Sequence, residues 1–158
     1  MNNKGTFQSA FIMLFGALIL QLFPVASDWG LFKPNFLLLM MVAWILYFPE
    51  KYGIEFAILM GIIADFIFST PLGYHVLTFS ICGLILIFFH RIVVYLQFIH
   101  RIILVFMMIM LFEFMQAAID ATLDNPLYLE GIFSLAIISA LCWIPMDKFV
   151  ARIYLQQK

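Results

Sequence analysis

Apolar residues form six long stretches along the chain, and short polar, Pro- or Gly-containing segments separate them. Proline stands at several of the breaks, as Pro24, Pro49 and Pro145. Because proline lacks a backbone N–H and clashes with the preceding turn, these positions predict helix ends. The six predicted helices run approximately over Phe7–Val25, Pro34–Phe48, Ile54–Ser69, Tyr74–Phe89, Ile102–Ile119 and Gly131–Ile144. Pro34 suits the first turn of the second helix.

The last residues show a different pattern from the six stretches. Apolar side chains recur there at intervals of three and four, at Met146, Phe149, Val150, Ile153 and Tyr154. Asp147, Lys148 and Arg152 lie on the other face. The pattern predicts a short interfacial helix over residues 146–158.

Composition restricts the class of protein. The chain has 158 residues, of which 66% are hydrophobic and 11% charged, whereas soluble domains have roughly 25% charged residues. We therefore expect an all-α integral membrane protein with one six-span domain over residues 1–158. Several stretches are shorter than the roughly 20 residues of a full span. The polar segments are too short to form a soluble catalytic or nucleic-acid-binding module.

Basic residues predict the orientation in the membrane. If the N-terminus is cytoplasmic, seven of the eight lysines and arginines lie on the cytoplasmic side and only Lys33 lies outside. The seven are Lys4, Lys51, Arg91, Arg101, Lys148, Arg152 and Lys158. The positive-inside rule then places both termini in the cytoplasm.

One ionisable residue, Asp65, interrupts the third apolar stretch. A carboxylate at membrane depth costs a few kcal/mol, so it usually faces protein or trapped water and is a candidate functional residue. Gly61 and Ala64 are small enough for another helix to approach closely. Pro71 and Gly73 predict a tight turn into the fourth helix. Catalysis, transport and assembly are the alternatives for this segment.

A second polar set lies in the fifth stretch, where Glu113, Gln116 and Asp120 share one helical face. In the predicted orientation this face and Asp65 both lie towards the external surface. The set is either a cation, proton or ligand site, a seam for a partner helix, or a group of residues that only fixes packing. The sequence contains no hydrolase, zinc-protease or phosphate-loop motif. We therefore expect no enzyme activity, no metal and no cofactor.

Several of these features together resemble the MreD family of bacterial rod shape-determining proteins. The resemblance rests on Leu31-Phe32-Lys33-Pro34-Asn35-Phe36, on Trp44-Ile45-Leu46 before Pro49, and on Gly61-Ile-Ile-Ala-Asp65 followed by Leu72-Gly73. It extends over almost the whole chain and includes the six predicted spans and the short basic tail.

The resemblance implies a non-enzymatic scaffold in the bacterial inner membrane that supports lateral peptidoglycan synthesis. Its expected partners are an MreC-like bitopic protein, membrane lipid, MreB, RodA and a class B penicillin-binding protein, with no nucleic acid. It also implies a fold similar to the six-helix substrate-binding subunits of vitamin transporters, so a small-ligand-binding subunit is the alternative function. The candidate partner-binding or fold-fixing residues are Lys33, Pro34, Asn35, Trp44, Gly61, Ala64, Asp65, Pro71, Gly73, Glu113, Gln116 and Asp120.

Overall fold

The computed structural model describes residues 3–24, 33–93, 97–123 and 131–156. These residues form six α-helices and no strand. The helices are α1 (Asn3–Leu22), α2 (Phe36–Tyr47), α3 (Ile54–Phe68), α4 (Tyr74–Val93), α5 (Phe98–Thr122) and α6 (Ile132–Gln156). The all-helical prediction is therefore confirmed for the described part of the chain.

The start of α2 differs from its prediction. Asn35 is the N-cap residue, and its side-chain oxygen accepts a hydrogen bond from the Leu38 backbone N–H at 3.0 Å. Pro34 consequently precedes the helix, and its predicted place in the first turn was wrong. The cap explains the difference, because an Asn side chain satisfies a first-turn N–H that has no partner within the helix.

Helix α2 forms the centre of the bundle. Ten successive residues, Leu37–Leu46, are buried, so no side of this helix faces the surroundings. Helices α1, α3, α4, α5 and α6 all contact it, and α3 to α6 also pack in sequence against one another. An apolar residue at every position fits a helix surrounded by other helices, because none of its faces needs a polar side chain.

Helices α3 and α4 approach each other closely at Gly61. A Cβ atom at Gly61 would lie 2.5 Å from the Val76 Cα atom. Further along the pair, a Cβ atom at Gly83 would lie 2.6 Å from the Ala57 Cβ atom. The close approach predicted around Gly61 therefore occurs, and the neighbouring helix is α4 of the same chain.

Helix α6 continues where the sequence predicted a stop. Pro145 lies inside the helix, which extends to Gln156. The predicted end at Pro145 was wrong, because the buried side chains Asp147, Val150 and Ile153 hold the following turns against the bundle. Transmembrane helices tolerate proline where neighbouring groups compensate for the lost hydrogen bond. Residues 146–156 thus extend α6, and residues 157–158 of the predicted interfacial helix lie outside the described part.

Two helices in the described part are long and apolar enough to cross a membrane, over Phe98–Thr122 and Ile132–Leu155. Three shorter helices, Gln8–Leu22, Phe36–Tyr47 and Tyr74–His90, are also apolar. Large apolar side chains face outwards around the bundle, and Phe66 and Phe88 are 72% and 81% exposed. Such an apolar exterior suits contact with lipid or with other helices.

Candidate functional site

Asp65 connects the end of α3 to the start of α4. Its carboxylate is 1% exposed and accepts hydrogen bonds from the backbone N–H groups of Gly73 (2.8 Å) and His75 (2.7 Å). The Thr70 hydroxyl also donates to Asp65 Oδ1 at 3.0 Å, and His75 Nδ1 lies 2.9 Å from the same oxygen. Because N–H groups at a helix start have no partner within the helix, Asp65 acts as a capping group for α4 from across the turn.

The turn between these helices depends on two residues with positive φ. Ser69 ends α3 in the left-handed region at φ 54°, and Gly73 has φ 107°. Glycine adopts such a conformation without a steric penalty, and here it directs its N–H to Asp65. Pro71 is exposed in the turn, and its carbonyl accepts a hydrogen bond from the Tyr74 N–H at 3.1 Å.

Lys33 and Asn35 organise the passage from α1 to α2. The Lys33 ammonium donates to the backbone carbonyls of Gln21 and Phe23, the latter at 2.8 Å. A cation at this position is favourable, because the last carbonyls of a helix are unpaired and have partial negative charge. The Gln21 side chain accepts a hydrogen bond from the Phe36 N–H at 2.9 Å, so it assists Asn35 at the start of α2.

A cavity of about 430 Å³ lies between these two polar arrangements. The polar face of α5 forms one wall through Glu113, Gln116 and Asp120. The other walls come from the ends of α1, α2, α3, α4 and α5, with the side chains of Gln21, Lys33, Asn35, Phe68, Thr70, Pro71, Tyr74, His75 and Leu123. We call it the polar cavity.

The residues of α5 differ in their partners. Asp120 accepts a hydrogen bond from the Tyr74 hydroxyl at 2.9 Å. The Gln116 amide nitrogen is buried and has no hydrogen-bond partner within the described residues. Glu113 makes no hydrogen bond or ion pair with any residue in that part of the chain. The Gln116 amide nitrogen and the Glu113 carboxylate therefore belong to the cavity wall and have no hydrogen-bond partner among the described residues.

The structure brings together six of the predicted residues around the polar cavity: Lys33, Asn35, Pro71, Glu113, Gln116 and Asp120. Asp65 is one step removed, since Thr70 and His75 stand between it and the cavity. Gly61 and Ala64 lie deeper in α3 and are buried. Pro34 is buried beside the start of α2.

Trp44 lies apart from the polar cavity, towards the other end of α2. Its indole N–H points to the Met13 sulfur at 3.2 Å, and its ring stacks on Phe48 with centroids 5.2 Å apart. Tyr52 contacts the same indole edge-on at 5.0 Å, and burial raises the pKa of the Tyr52 hydroxyl. Trp44 is therefore a core residue in an aromatic cluster.

A polar network at this second end was not predicted. The Tyr47 hydroxyl donates to Asp147 at 2.7 Å, and the Arg101 guanidinium donates to the same hydroxyl at 2.6 Å. Arg101 also forms an ion pair with Asp147 at 3.3 Å. The network joins α2, α5 and α6, and Asp147 is 2% exposed. Its members are about fifty residues apart in sequence, so no local spacing indicates them.

Within the described residues, no group of three His, Cys, Asp or Glu side chains has an arrangement suitable for a metal ion. The apolar exterior and the two long apolar helices indicate a helical membrane protein. The model of the family described as rod shape-determining protein MreD matches residues 1–153. The chain therefore belongs to the MreD family of rod shape-determining proteins, which confirms the resemblance drawn from the sequence.

A curated relative supports this assignment. Rod shape-determining protein MreD of Haemophilus influenzae is 33% identical over 75 residues, which is 48% of this chain and 44% of the relative. The alignment thus spans less than half of the relative's length. No solved structure matches the chain, and the expected likeness to vitamin-transporter subunits is therefore unsupported. Family membership supports a role in rod shape determination.

Proposed function

We propose that this protein is a non-enzymatic scaffold subunit that binds an MreC-like bitopic partner and supports lateral peptidoglycan synthesis. The observation that supports this most strongly is the family match over residues 1–153. MreB, RodA and a class B penicillin-binding protein are further proposed partners. The site of action is the bacterial inner membrane, which the six helices cross with both termini in the cytoplasm.

The contacts of the small residues favour fold-fixing over partner binding for the segment around Asp65. Gly61 and Ala64 are buried, and Gly61 lies against α4. Asp65 uses both carboxylate oxygens for hydrogen bonds within its own turn and α4. A partner's transmembrane helix then packs against the outward apolar faces of the bundle, where van der Waals contact is the main source of binding energy.

Photo-crosslinking from single positions tests this proposal. A photoreactive residue replaces one exposed side chain per helix, at Phe15, Phe66, Phe88, Met107 or Ile137, in cells that contain the MreC-like partner. We expect partner adducts from one helix or two neighbouring helices, and none from the buried control position Trp44. Absence of adducts from every exposed position, with normal protein levels and rod shape, would contradict direct partner binding.

The proposed orientation has a separate test, because the two ends of the bundle differ in charge. Leu72 is exposed in the α3–α4 turn, and Lys51 is exposed in the α2–α3 connection at the opposite end of α3. Single cysteines at these positions, with Cys82 and Cys142 replaced by alanine, are treated with a membrane-impermeant maleimide in spheroplasts. Labelling of Leu72→Cys and protection of Lys51→Cys is expected, and the reverse pattern would overturn the orientation.

A further inference from the structure

The described residues around the polar cavity are more acidic than basic. Glu113 and Asp120 line it, and Asp65 lies directly behind Thr70 and His75 of the lining. The lysine of the lining, Lys33, already donates to two backbone carbonyls at the end of α1. Among the described residues, carboxylates therefore outnumber cations around the cavity.

Glu113 is the residue of this set that needs an explanation. An ionisable side chain in an apolar helix is costly and normally pairs with a neighbouring group. Asp65 has donors from its own turn, and Asp120 has the Tyr74 hydroxyl. Glu113 has no hydrogen bond or ion pair within the described residues, and its side chain lines the cavity. We therefore expect a ligand in the cavity to provide the hydrogen-bond partner of Glu113.

The size of the cavity and its walls indicate the chemistry of that group. A volume of about 430 Å³ is in the range of small-molecule sites and is far larger than a single ion requires. Carboxylate oxygens of Glu113 and Asp120 suit a donor with positive charge. The aromatic rings of Phe68 and Tyr74 also line the cavity and favour a cation near their faces. The unpartnered Gln116 amide suits an oxygen atom on the same ligand.

We propose that the polar cavity binds the primary ammonium group of a small polar ligand, with Glu113 as its counter-ion and Gln116 as donor to an adjacent oxygen. Two sources have this chemistry at a membrane surface: the headgroup of phosphatidylethanolamine and a free ethanolamine-type amine. The site is distinct from partner binding, because a ligand in the cavity contacts helix ends inside the bundle and not its lipid-facing exterior.

Lipid and amine titrations of the purified, delipidated full chain test the proposal. Native mass spectrometry compares adducts with phosphatidylethanolamine and phosphatidylcholine of identical acyl chains, and thermal unfolding compares ethanolamine with sodium at equal ionic strength. Glu113→Gln removes the charge at nearly constant volume. Glu55→Gln is the matched control, because Glu55 is exposed in the first turn of α3, far from the cavity.

A lipid ligand would give phosphatidylethanolamine adducts about tenfold tighter than those of phosphatidylcholine, with the preference lost in Glu113→Gln and retained in Glu55→Gln. Tenfold is the loss expected when one hydrogen bond to a charged group is removed. A free amine would instead raise the unfolding temperature of the wild type but not of Glu113→Gln. Equal adducts for both lipids with no amine effect, or effects that persist in Glu113→Gln, would overturn the proposal.

The variants also test the premise that Glu113 has no structural role. Glu113→Gln is expected to fold and to unfold at the same temperature as the ligand-free wild type or higher, because Glu113 makes no hydrogen bond or ion pair with the described residues. Failure of this variant to fold would contradict the proposal by showing a structural partner for Glu113. Gln116→Leu provides an independent measurement, since it removes the amide donor and should weaken the same ligand while leaving the carboxylate in place.

Discussion

The contact between α3 and α4 at Gly61 gives the sharpest test of the fold. In Gly61→Ala, the added Cβ atom would lie 2.5 Å from the Val76 Cα atom, 2.9 Å from the Val76 nitrogen and 3.0 Å from the His75 oxygen. All three atoms belong to the backbone of α4, so no side chain can rotate away. Since carbon atoms normally stay about 3.5–4.0 Å apart, α4 must move away from α3 by about 1 Å.

The cost of this movement has two parts. Inserting a methyl group into a well-packed region typically costs about 1–3 kcal/mol, while the helix propensity of alanine returns up to about 1 kcal/mol relative to glycine. Displacing α4 also lengthens the 2.7 Å hydrogen bond from the His75 N–H to Asp65. A buried polar group that loses its partner costs about 1–3 kcal/mol. Together these contributions predict that Gly61→Ala lowers the free energy of unfolding by about 1–6 kcal/mol.

Reversible unfolding in mixed micelles of mild detergent and dodecyl sulfate, followed by circular dichroism, measures this change. Gly16→Ala is the control, because a Cβ atom at Gly16 in α1 would meet no atom within 4 Å. We expect this control to be neutral or stabilised by up to about 1 kcal/mol, from helix propensity alone. If Gly61→Ala were as stable as the wild type while the control behaved as expected, the close approach of α3 and α4 would be refuted.

Two further predictions concern the polar networks, with the same unfolding assay. Asp65→Asn replaces one acceptor oxygen by an NH₂ group that faces a backbone donor, so we expect a loss of about 1–3 kcal/mol; an unchanged free energy of unfolding would contradict the capping role. A double-mutant cycle with Arg101→Met and Asp147→Leu should give a coupling energy of about 0.5–2 kcal/mol, the range for polar contacts between membrane helices and for residues in direct contact. Additive effects within about 0.3 kcal/mol would show that the 3.3 Å ion pair contributes nothing measurable.

Some helix boundaries were predictable, because proline, glycine and polar residues interrupt the apolar pattern. The predicted and observed ranges agree closely for α3, which was expected over Ile54–Ser69 and runs over Ile54–Phe68. The turn at Pro71–Gly73 was also predictable, since proline and glycine interrupt the apolar pattern there, and Gly73, with positive φ, directly precedes α4. The expectation that proline ends a helix failed at Pro145, where tertiary contacts of the following residues outweigh the local effect of proline.

The central place of α2 was not predictable from the sequence. In a soluble protein, a helix that is apolar at every position is buried, but in a membrane both lipid-facing and core positions are apolar. The pattern of Leu37–Leu46 therefore does not distinguish a central helix from a peripheral one. The burial of Asp147 was not predictable from the sequence either. This residue follows Met146 on what looked like a polar helical face, yet it is buried against Tyr47 and Arg101, residues far away in sequence.

Asp65 and Glu113 show why residue type and depth alone do not define a role in such a chain. Both are carboxylates near the same end of the bundle, and the sequence left both open between fixing the fold and binding a ligand. The structure separates them by their partners: Asp65 accepts hydrogen bonds from two backbone N–H groups and a hydroxyl, whereas Glu113 faces a cavity without a partner among the described residues. Removal of the charge should therefore have different effects at the two positions, destabilising the protein at Asp65 and leaving it unchanged or stabilised at Glu113. A loss of stability at Asp65 with none at Glu113, in one unfolding assay, would assign Asp65 to the fold and show that the charge of Glu113 does not stabilise it.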